Sequence, residues 1–357
     1  MKPRLLLIKP TNSSFITVDE QALRHHFRLS SLYLRQEKGG LAYLFGIVWM
    51  LVRILLSFKS KAVLVWFADY HALPAVLMAR LTGKKSVVFV GGYDAVCYPE
   101  FGYGVYCKYI RGFCAKHALK ISDLIIANDE ALLSSDNWYY NPQGHPEGVL
   151  RLVKGLSTST LVIPNAPLIK APESVCDQRM AQILCVGGTP RFEDIYNKGY
   201  DLLFGLARLR PDLQIVIIGI NPAWMSRLED EFQLSDLKNL LLSPPLPHSE
   251  VLQIMLQSEI YVQPSISEGM PNALMEAMLC GCIPVGSNVA GIPKLIGNWG
   301  VVFHERKSEC LLKAIDEARQ LQLDPETISS SITLRYSISR RASELKQAIG
   351  SILLSSL

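Results

Sequence analysis

The sequence predicts an α/β protein of two doubly wound domains of similar size, each built on an open, largely parallel sheet. Three observations lead there. Short apolar runs alternate with longer stretches of helical spacing through both halves of the chain. The runs are continuous in Val, Ile and Leu, the composition of strands covered on both faces. The series stops at a Pro- and Ala-rich stretch, VIPNAPLIKAPES, and then begins again. A chain of 357 residues, 49% hydrophobic and 19% charged, is long and apolar enough for two such cores.

In the first half RLLLIKP, AVLVWF, SVVFV, DLIIA and TLVIP read as strands, with QALRHHFRLSSLYLR, HALPAVLMARL and VYCKYIRGFCAKHAL as helices between them. In the second half QILCVGG, LQIVIIG, EIYVQPS and CIPVGS read as strands, and KGYDLLFGLARL and PNALMEAMLC as helices. A last helix lies in SISRRASELKQAIGSILLSSL. The expected divisions are 1–168, 169–335 and a terminal segment 336–357. Ligands of such sheets bind beyond the carboxyl ends of the strands, and two facing domains would make that region a cleft.

Composition narrows the partners. The formal charge of +4 comes from scattered Lys and Arg with no basic run, which argues against nucleic acid. Eight cysteines, at 97, 107, 114, 176, 185, 280, 282 and 310, form no C-x-x-C pair and read as reduced thiols. The start MKPRLLLIKPTNSS has an apolar part too short for a signal peptide, so a cytoplasmic location is expected. Residues 41–58, LAYLFGIVWMLVRILLSF, are apolar but for Arg53. A spanning helix needs roughly 20 such residues and tolerates a central charge poorly. That leaves a core helix, or a helix lying on a membrane surface with Arg53, Lys59 and Lys61 near the headgroups.

The stretch SEGMPNALMEAMLCGCIPV, Ser267 to Val285, sets two carboxylates in apolar surroundings. Strand EIYVQPS ends in a polar loop, and Pro271 suits the first turn of the next helix because its missing N–H is not needed there. The helix runs to Cys280 with Gly281 as its cap. Glu268 then lies at the strand's carboxyl end, and Glu276 a little over one turn into the helix on the face of Asn272. A helix N-terminus offers unpaired N–H groups to a phosphate. Carboxylates beside it accept from hydroxyls, so the pair suits a sugar nucleotide. The plainer alternative makes Glu276 part of a solvated helix face.

The run S-x-x-E-G-M-P-N-A-L-x-E-A-M-x-x-G-x-x-P-V, from Ser265 to Val285, resembles the signature of family 4 glycosyltransferases. In that signature two glutamates are separated by seven residues, as Glu268 and Glu276 are here. VIPNAP resembles the family's interdomain segment, with Ala166 for a glycine. QILCVGG with NKGYDLLFGLA resembles the opening of its donor domain, and SDLIIANDEALL a first-domain segment, with Asp129 for a serine. The resemblance implies the GT-B fold, two Rossmann-like domains facing a cleft, with the C-terminal helix crossing back to the first domain.

It also implies roles. Glu276 binds the donor's ribose hydroxyls and Glu268 lies near the hydroxyls of the transferred sugar. The backbone of Gly269, Met270, Pro271 and Asn272 faces sugar and diphosphate, and Lys198 neutralises the leaving diphosphate. A lysine at a helix start is locally disfavoured by the dipole, which favours function over a bland surface charge. Two positions depart from the family. Gly188 stands where an arginine is usual, and Arg191 is the substitute three residues on, or a plain loop charge. Gly91, in FVGGYD, replaces a histidine near the transferred sugar, leaving Asp94 as the catalytic candidate beside Glu268 and Lys198, or as a turn cap. Ser13, Ser14, His71 and Tyr93 are the acceptor-side candidates. For His71 the structural alternative is packing, and for the serines it is capping of the following helix together with Asp19.

The implied reaction moves a sugar from a nucleotide-diphosphate sugar, used as co-substrate without a permanent cofactor, to a hydroxyl of a cell-surface glycan or glycolipid. The resemblance implies retention of configuration. No D-x-D in strand context is present, in keeping with metal-independent chemistry. A lipid-linked acceptor would bring the chain to the inner face of the plasma membrane through residues 41–58. Two alternatives remain: a non-catalytic nucleotide-sugar-binding or scaffold protein, and an epimerase or phosphorylase of the same fold.

Overall fold

The computed structural model describes residues 2–36, 39–172 and 179–354. The chain divides into one unit of Met1–Asp136, Pro146–Leu168 and Tyr336–Leu357, and a second of Asn137–His145 and Ile169–Arg335. The segment Asn137–His145 thus goes with the second unit, although the expected first domain ran unbroken to 168.

In the first unit β1 (Arg4–Lys9), α1 (Ser14–His26), β2 (Arg28–Tyr33), α2 (Gly40–Leu56), β3 (Ser60–Trp66), α3 (Ala72–Leu81), β4 (Lys85–Val90), α4 (Tyr109–Ile121) and β5 (Leu124–Ala127) follow in turn. A two-stranded ribbon, β6 (Ser135–Asp136) with β7 (Pro146–Glu147), then leads through α5 (Val149–Leu152) to β8 (Thr160–Val162). The sheet is parallel, in the order β2-β1-β3-β4-β5-β8. Alternation along β1 sends Leu6 and Ile8 to the core under α2, α3 and α4, and Leu5 and Leu7 to the core on the opposite face.

One expected helix is two elements. QALRHHFRLSSLYLR is helical only to His26, and RLSSLY is the edge strand β2, paired with β1 from Arg28 opposite Arg4 to Tyr33 opposite Lys9. An edge strand is covered on fewer sides, so its serines and single leucines read as an amphipathic helix; pairing with β1 overrides that local pattern.

The second unit carries β9 (Met180–Val186), α6 (Asp194–Asn197), α7 (Tyr200–Leu209), β10 (Gln214–Ile218), α8 (Met225–Phe232), β11 (Leu240–Ser243), α9 (His248–Gln257), β12 (Ser258–Gln263), α10 (Asn272–Leu279), β13 (Ile283–Ser287), α11 (Ile292–Ile296), β14 (Val301–Phe303), α12 (Ser308–Gln320) and α13 (Pro325–Arg335). Its sheet is also parallel, in the order β11-β10-β9-β12-β13-β14. The two short edge strands β11 and β14 carry too little continuous apolar sequence to stand out before pairing is known.

The last helix, α14 (Ile338–Leu354), packs on α1 of the first unit. Ala342, Leu345, Ala348 and Ile349 enter the core on the α1 face of the first sheet. Arg341 is buried and forms a salt bridge with the buried Asp19 of α1, its Nη2 donating to Oδ2 at 2.9 Å. Arg341 Nη1 also donates to the Ile163 and Pro164 carbonyls at 2.6 and 2.9 Å. Asp19 therefore sits inside α1 as an ion-pair partner; the capping role the sequence suggests for it is not the one it has.

Residues 41–58 form α2 and the turn after it. The helix buries Tyr43, Met50 and Ile54, and leaves Phe45, Val48, Trp49 and Leu56 more than half exposed. Among the described residues no helix is long and apolar enough to cross a membrane. The cysteines within the described residues form no disulfide with one another, and Cys176 lies outside those residues.

Candidate functional site

In the second unit three loops at the carboxyl ends of β9, β12 and β10 are fastened to one another. Gly199 precedes α7 at φ +71, and a Cβ there would stand 2.2 Å from the Pro264 carbonyl oxygen, so only glycine lets the start of α7 press against the loop after β12. The Ile266 N–H donates to the Asn197 carbonyl at 2.8 Å, and Asn137 Nδ2 to the Ile266 carbonyl at 2.7 Å. Gly219, at φ +111, has the same constraint against the Gly187 carbonyl, 2.5 Å from a built Cβ.

This bracing brings Lys198 to Glu268, Nζ to Oε1 at 2.7 Å. The same Oε1 accepts from Ser265 Oγ at 2.9 Å and from Gln263 Nε2 at 3.1 Å, and among the described residues no donor meets Oε2. Gln263 is held in turn by the Tyr261 hydroxyl, 3.0 Å from its Oε1. The carboxylate is thus oriented from below by a polar ladder at the end of an otherwise apolar strand, with one oxygen left over. A lysine clamped to it keeps its charge at a fixed place.

Glu276 lies on α10, eight residues beyond Glu268 along the chain and a little over one turn into the helix. Its Oε2 meets His248 Nε2 at 3.0 Å, while Oε1 is shielded from solvent and has no partner among the described residues. Burial pushes its carboxyl above the ordinary range, and His248 pulls the other way. The first hydrogen bond of α10 runs from Met275 N to the Pro271 carbonyl, so the N–H groups of Asn272, Ala273 and Leu274 have no acceptor within the helix. Gly269 is buried, its carbonyl accepting from Gly291 N at 3.0 Å, and Met270 and Pro271 are buried beside it. Gly281, at φ +80, ends the helix.

The remaining donor-side candidates are on the loop after β9. At Gly188 no atom lies within 4 Å of a built Cβ. Arg191 is paired to Asp194, Nη2 to Oδ1 at 2.6 Å, and its own N–H is bound by the same carboxylate. Asp194 thus holds both ends of Arg191 and shapes the loop.

The first-unit candidates are placed differently. Asp94 is buried, and its two oxygens accept from the backbone N–H groups of Ala68, Gly91 and Gly92 at 2.9, 2.9 and 3.1 Å. Burial raises its carboxyl to about 6 while those amides oppose the rise. Asp94 thus ties the ends of β3 and β4 together. His71 is fully buried, Nε2 donating to the Trp66 carbonyl at 2.9 Å and Nδ1 accepting from the Tyr43 hydroxyl at 3.0 Å; burial lowers its pKa. It joins α2 to β3 as a neutral imidazole. The Tyr93 hydroxyl accepts from Arg111 Nη1 at 3.2 Å. Ser13 precedes α1 with its hydroxyl 3.1 Å from that of Thr11, and Ser14 is the first residue of the helix; both are half-buried.

Gly91 has a packing reason. A Cβ there would stand 2.5 Å from Phe67 Cε1 and 3.3 Å from the Trp66 ring. Phe67 adopts φ +66, a conformation uncommon for a bulky residue, and its ring occupies the room a side chain at 91 would need. Sequence reasoning passes over His248, Gln263, Ser265 and Asn137. Gln263 and Ser265 are polar residues at the end of an apolar strand and His248 opens a helix, and that contrast is the signal that could have found them. Asn137 is brought in by the ribbon β6–β7, which no local pattern announces.

Two parallel α/β units of these strand orders define the GT-B fold. Along its length the chain is similar to sucrose-phosphate synthase from Thermosynechococcus elongatus, with TM-score 0.72, 13% identity, and 99% and 100% of the two chains covered. It is similar also to Anabaena Alr3699/HepE in complex with UDP and glucose, with TM-score 0.65, 13% identity, and 97% and 99% covered. Residues 191–331 match the family model "Glycosyl transferases group 1". Among curated proteins, the GPI3 subunit of phosphatidylinositol N-acetylglucosaminyltransferase from Saccharomyces cerevisiae is 28% identical over 172 residues, 43% of this chain and 37% of that one. The match thus spans well under half the length of that relative.

Proposed function

We propose that the protein transfers a glycosyl group from a nucleotide-diphosphate sugar to an acceptor hydroxyl, with retention and without a metal ion. The observation that carries this is Glu276. A carboxylate buried on a helix, with one oxygen held by His248 and the other unpaired among the described residues, is costly unless hydroxyl donors complete it. A ribose supplies such donors. Diphosphate then lies toward Lys198 and the N-terminal amides of α10, whose fixed positive charge stabilises the leaving group. Glu268, oriented by Gln263, Ser265 and Lys198, offers Oε2 to the sugar hydroxyls. Gly269 to Asn272 supply the backbone wall. Arg191 serves the phosphates only through a rearrangement that releases Asp194, so Lys198 is the principal cation. Asp94 acts through the loop it braces, and Tyr93, Ser13 and Ser14 remain acceptor-side candidates, with His71 shaping their support from within the core.

The acceptor we propose is a cell-surface glycan or a lipid-linked sugar, used at the inner face of the plasma membrane with residues 41–58 in peripheral contact. The similarity to a transferase named for phosphatidylinositol and the HepE complex with UDP and glucose support lipid acceptor and nucleotide donor respectively. The test is a donor screen by calorimetry followed by turnover with the sugar nucleotide that binds. Saturable binding with no release of nucleoside diphosphate to any acceptor would favour a binding protein instead.

A further inference from the structure

We propose that the amino-end edge of the first sheet is a seat for anionic lipid headgroups, and that it sets how α2 meets a membrane. This rests on the membrane contact of residues 41–58 and adds a charged, lipid-selective site to it.

A cavity of about 540 Å³ opens among the starts of β1, β2 and β3 and the end of α2, lined by Arg4, Arg28, Arg53 and Lys59. A second, of about 1000 Å³, shares Arg4, Arg28, Phe58 and Lys59 and adds Lys2 and Lys61. Among the described residues no Asp or Glu lines either. Arg4 and Arg28 stand directly opposite each other in the β1–β2 register, a like-charge pairing that costs stability unless an anion lies between them. None of Arg4, Arg28, Arg53, Lys59 and Lys61 forms an ion pair among the described residues. Such a cluster is built for phosphate, by the geometry with which guanidinium groups meet it.

The apolar surface beside the cavity names the source of that phosphate. Leu41 is 73% exposed, Phe45 71%, Trp49 53% and Phe58 80%, and Phe58 lines both cavities. A free phosphate or a nucleic acid would use the cations and leave these side chains in water. A second copy docked about a two-fold axis through this surface would bring two cationic rims together. A bilayer carrying anionic lipid satisfies both parts: rings enter the headgroup boundary and the arginines meet phosphates. The seat lies at the strand starts, whereas Gly91–Asp94 and Phe67–His71 lie at the strand ends of the same sheet, so docking leaves those loops uncovered.

The test uses the full chain, sedimented with vesicles of phosphatidylcholine alone or mixed with phosphatidylglycerol. Tight binding is expected to the mixed vesicles only, weakened by added salt. The triple variant R28Q/R53Q/K59Q should bind them about a hundred-fold less, at roughly five-fold per charge lost. F45S/W49S should also lose binding, and both variants should keep the parent's calorimetric affinity for nucleoside diphosphate, which reports the fold. Equal binding to both vesicle types, or a triple variant that binds like the parent, would overturn the headgroup seat while leaving the helix contact standing. No binding to either vesicle overturns both. A parent that self-associates, and a F45S/W49S variant that does not, would assign the surface to a second copy and overturn the proposal as well.

Discussion

Replacing Glu276 with Gln separates what the carboxylate does for the donor from what it costs the fold. The swap keeps the volume and one acceptor oxygen. It turns the other acceptor into an amide donor, which faces either His248 Nε2 or the incoming hydroxyl, since those are the two positions the carboxylate oxygens serve. One hydrogen bond to a charged group is lost and a second is weakened, about 2–4 kcal/mol together, or roughly 30- to 1000-fold in Kd. Stability should move the other way. Burial raises the Glu276 carboxyl above its unfolded value, so the folded chain holds that proton more tightly and the ionised group weakens the fold at neutral pH. The Gln variant has no such cost, and its Tm should equal or exceed the parent's. The assays are calorimetry with nucleoside diphosphates and thermal unfolding of the same samples. A variant that binds nucleotide as tightly as the parent would refute the ribose role, and a lowered Tm would show the carboxylate to be structural.

Three further outcomes follow from contacts already described. Lys198→Ala should lower kcat by about 10²- to 10³-fold if its Nζ stabilises the leaving diphosphate; steady-state kinetics showing only a change in KM would count against that role. Nucleotide affinity should fall on acidification as Glu276 takes up its proton, and because His248 holds that carboxyl down, His248→Gln should move the midpoint to higher pH; a midpoint that stays put in titrations across the acid range would remove His248 from the site. Asp19→Asn leaves the buried Arg341 unbalanced and should cost about 3–5 kcal/mol in denaturant unfolding, whereas a loss under about 1 kcal/mol would mean that the pair contributes little.

The donor side is more legible in the sequence than the acceptor side, for a physical reason. Glu268, Glu276, Lys198 and the glycines around them lie on contiguous segments whose spacing reflects strand, turn and helix geometry, so their roles can be framed before any distance is known. The continuous apolar strands of both sheets are legible in the same way. What is not legible depends on residues distant along the chain. β2 reads as helix because an edge strand lacks the apolar run of a central one. Asp94 and His71 are chemically suited to catalysis, but burial and backbone partners that only the fold supplies occupy them. The missing side chain at Gly91 is visible in the sequence, while its cause, the ring of Phe67, is not.

The union of Asp19 with Arg341 spans 322 positions of the chain. On a ribosome the second unit's main segment, Ile169–Arg335, is complete before α14 has been made, whereas the first unit waits for Ala342, Leu345 and Ile349 to fill its core. The half that emerges first is therefore the half that matures last. Until then the α1 face of its sheet is covered by α1 alone and part of its apolar surface stays open, so premature termination near residue 335 would yield a finished second unit joined to a sticky, unfinished companion, the kind of product that chaperones retain.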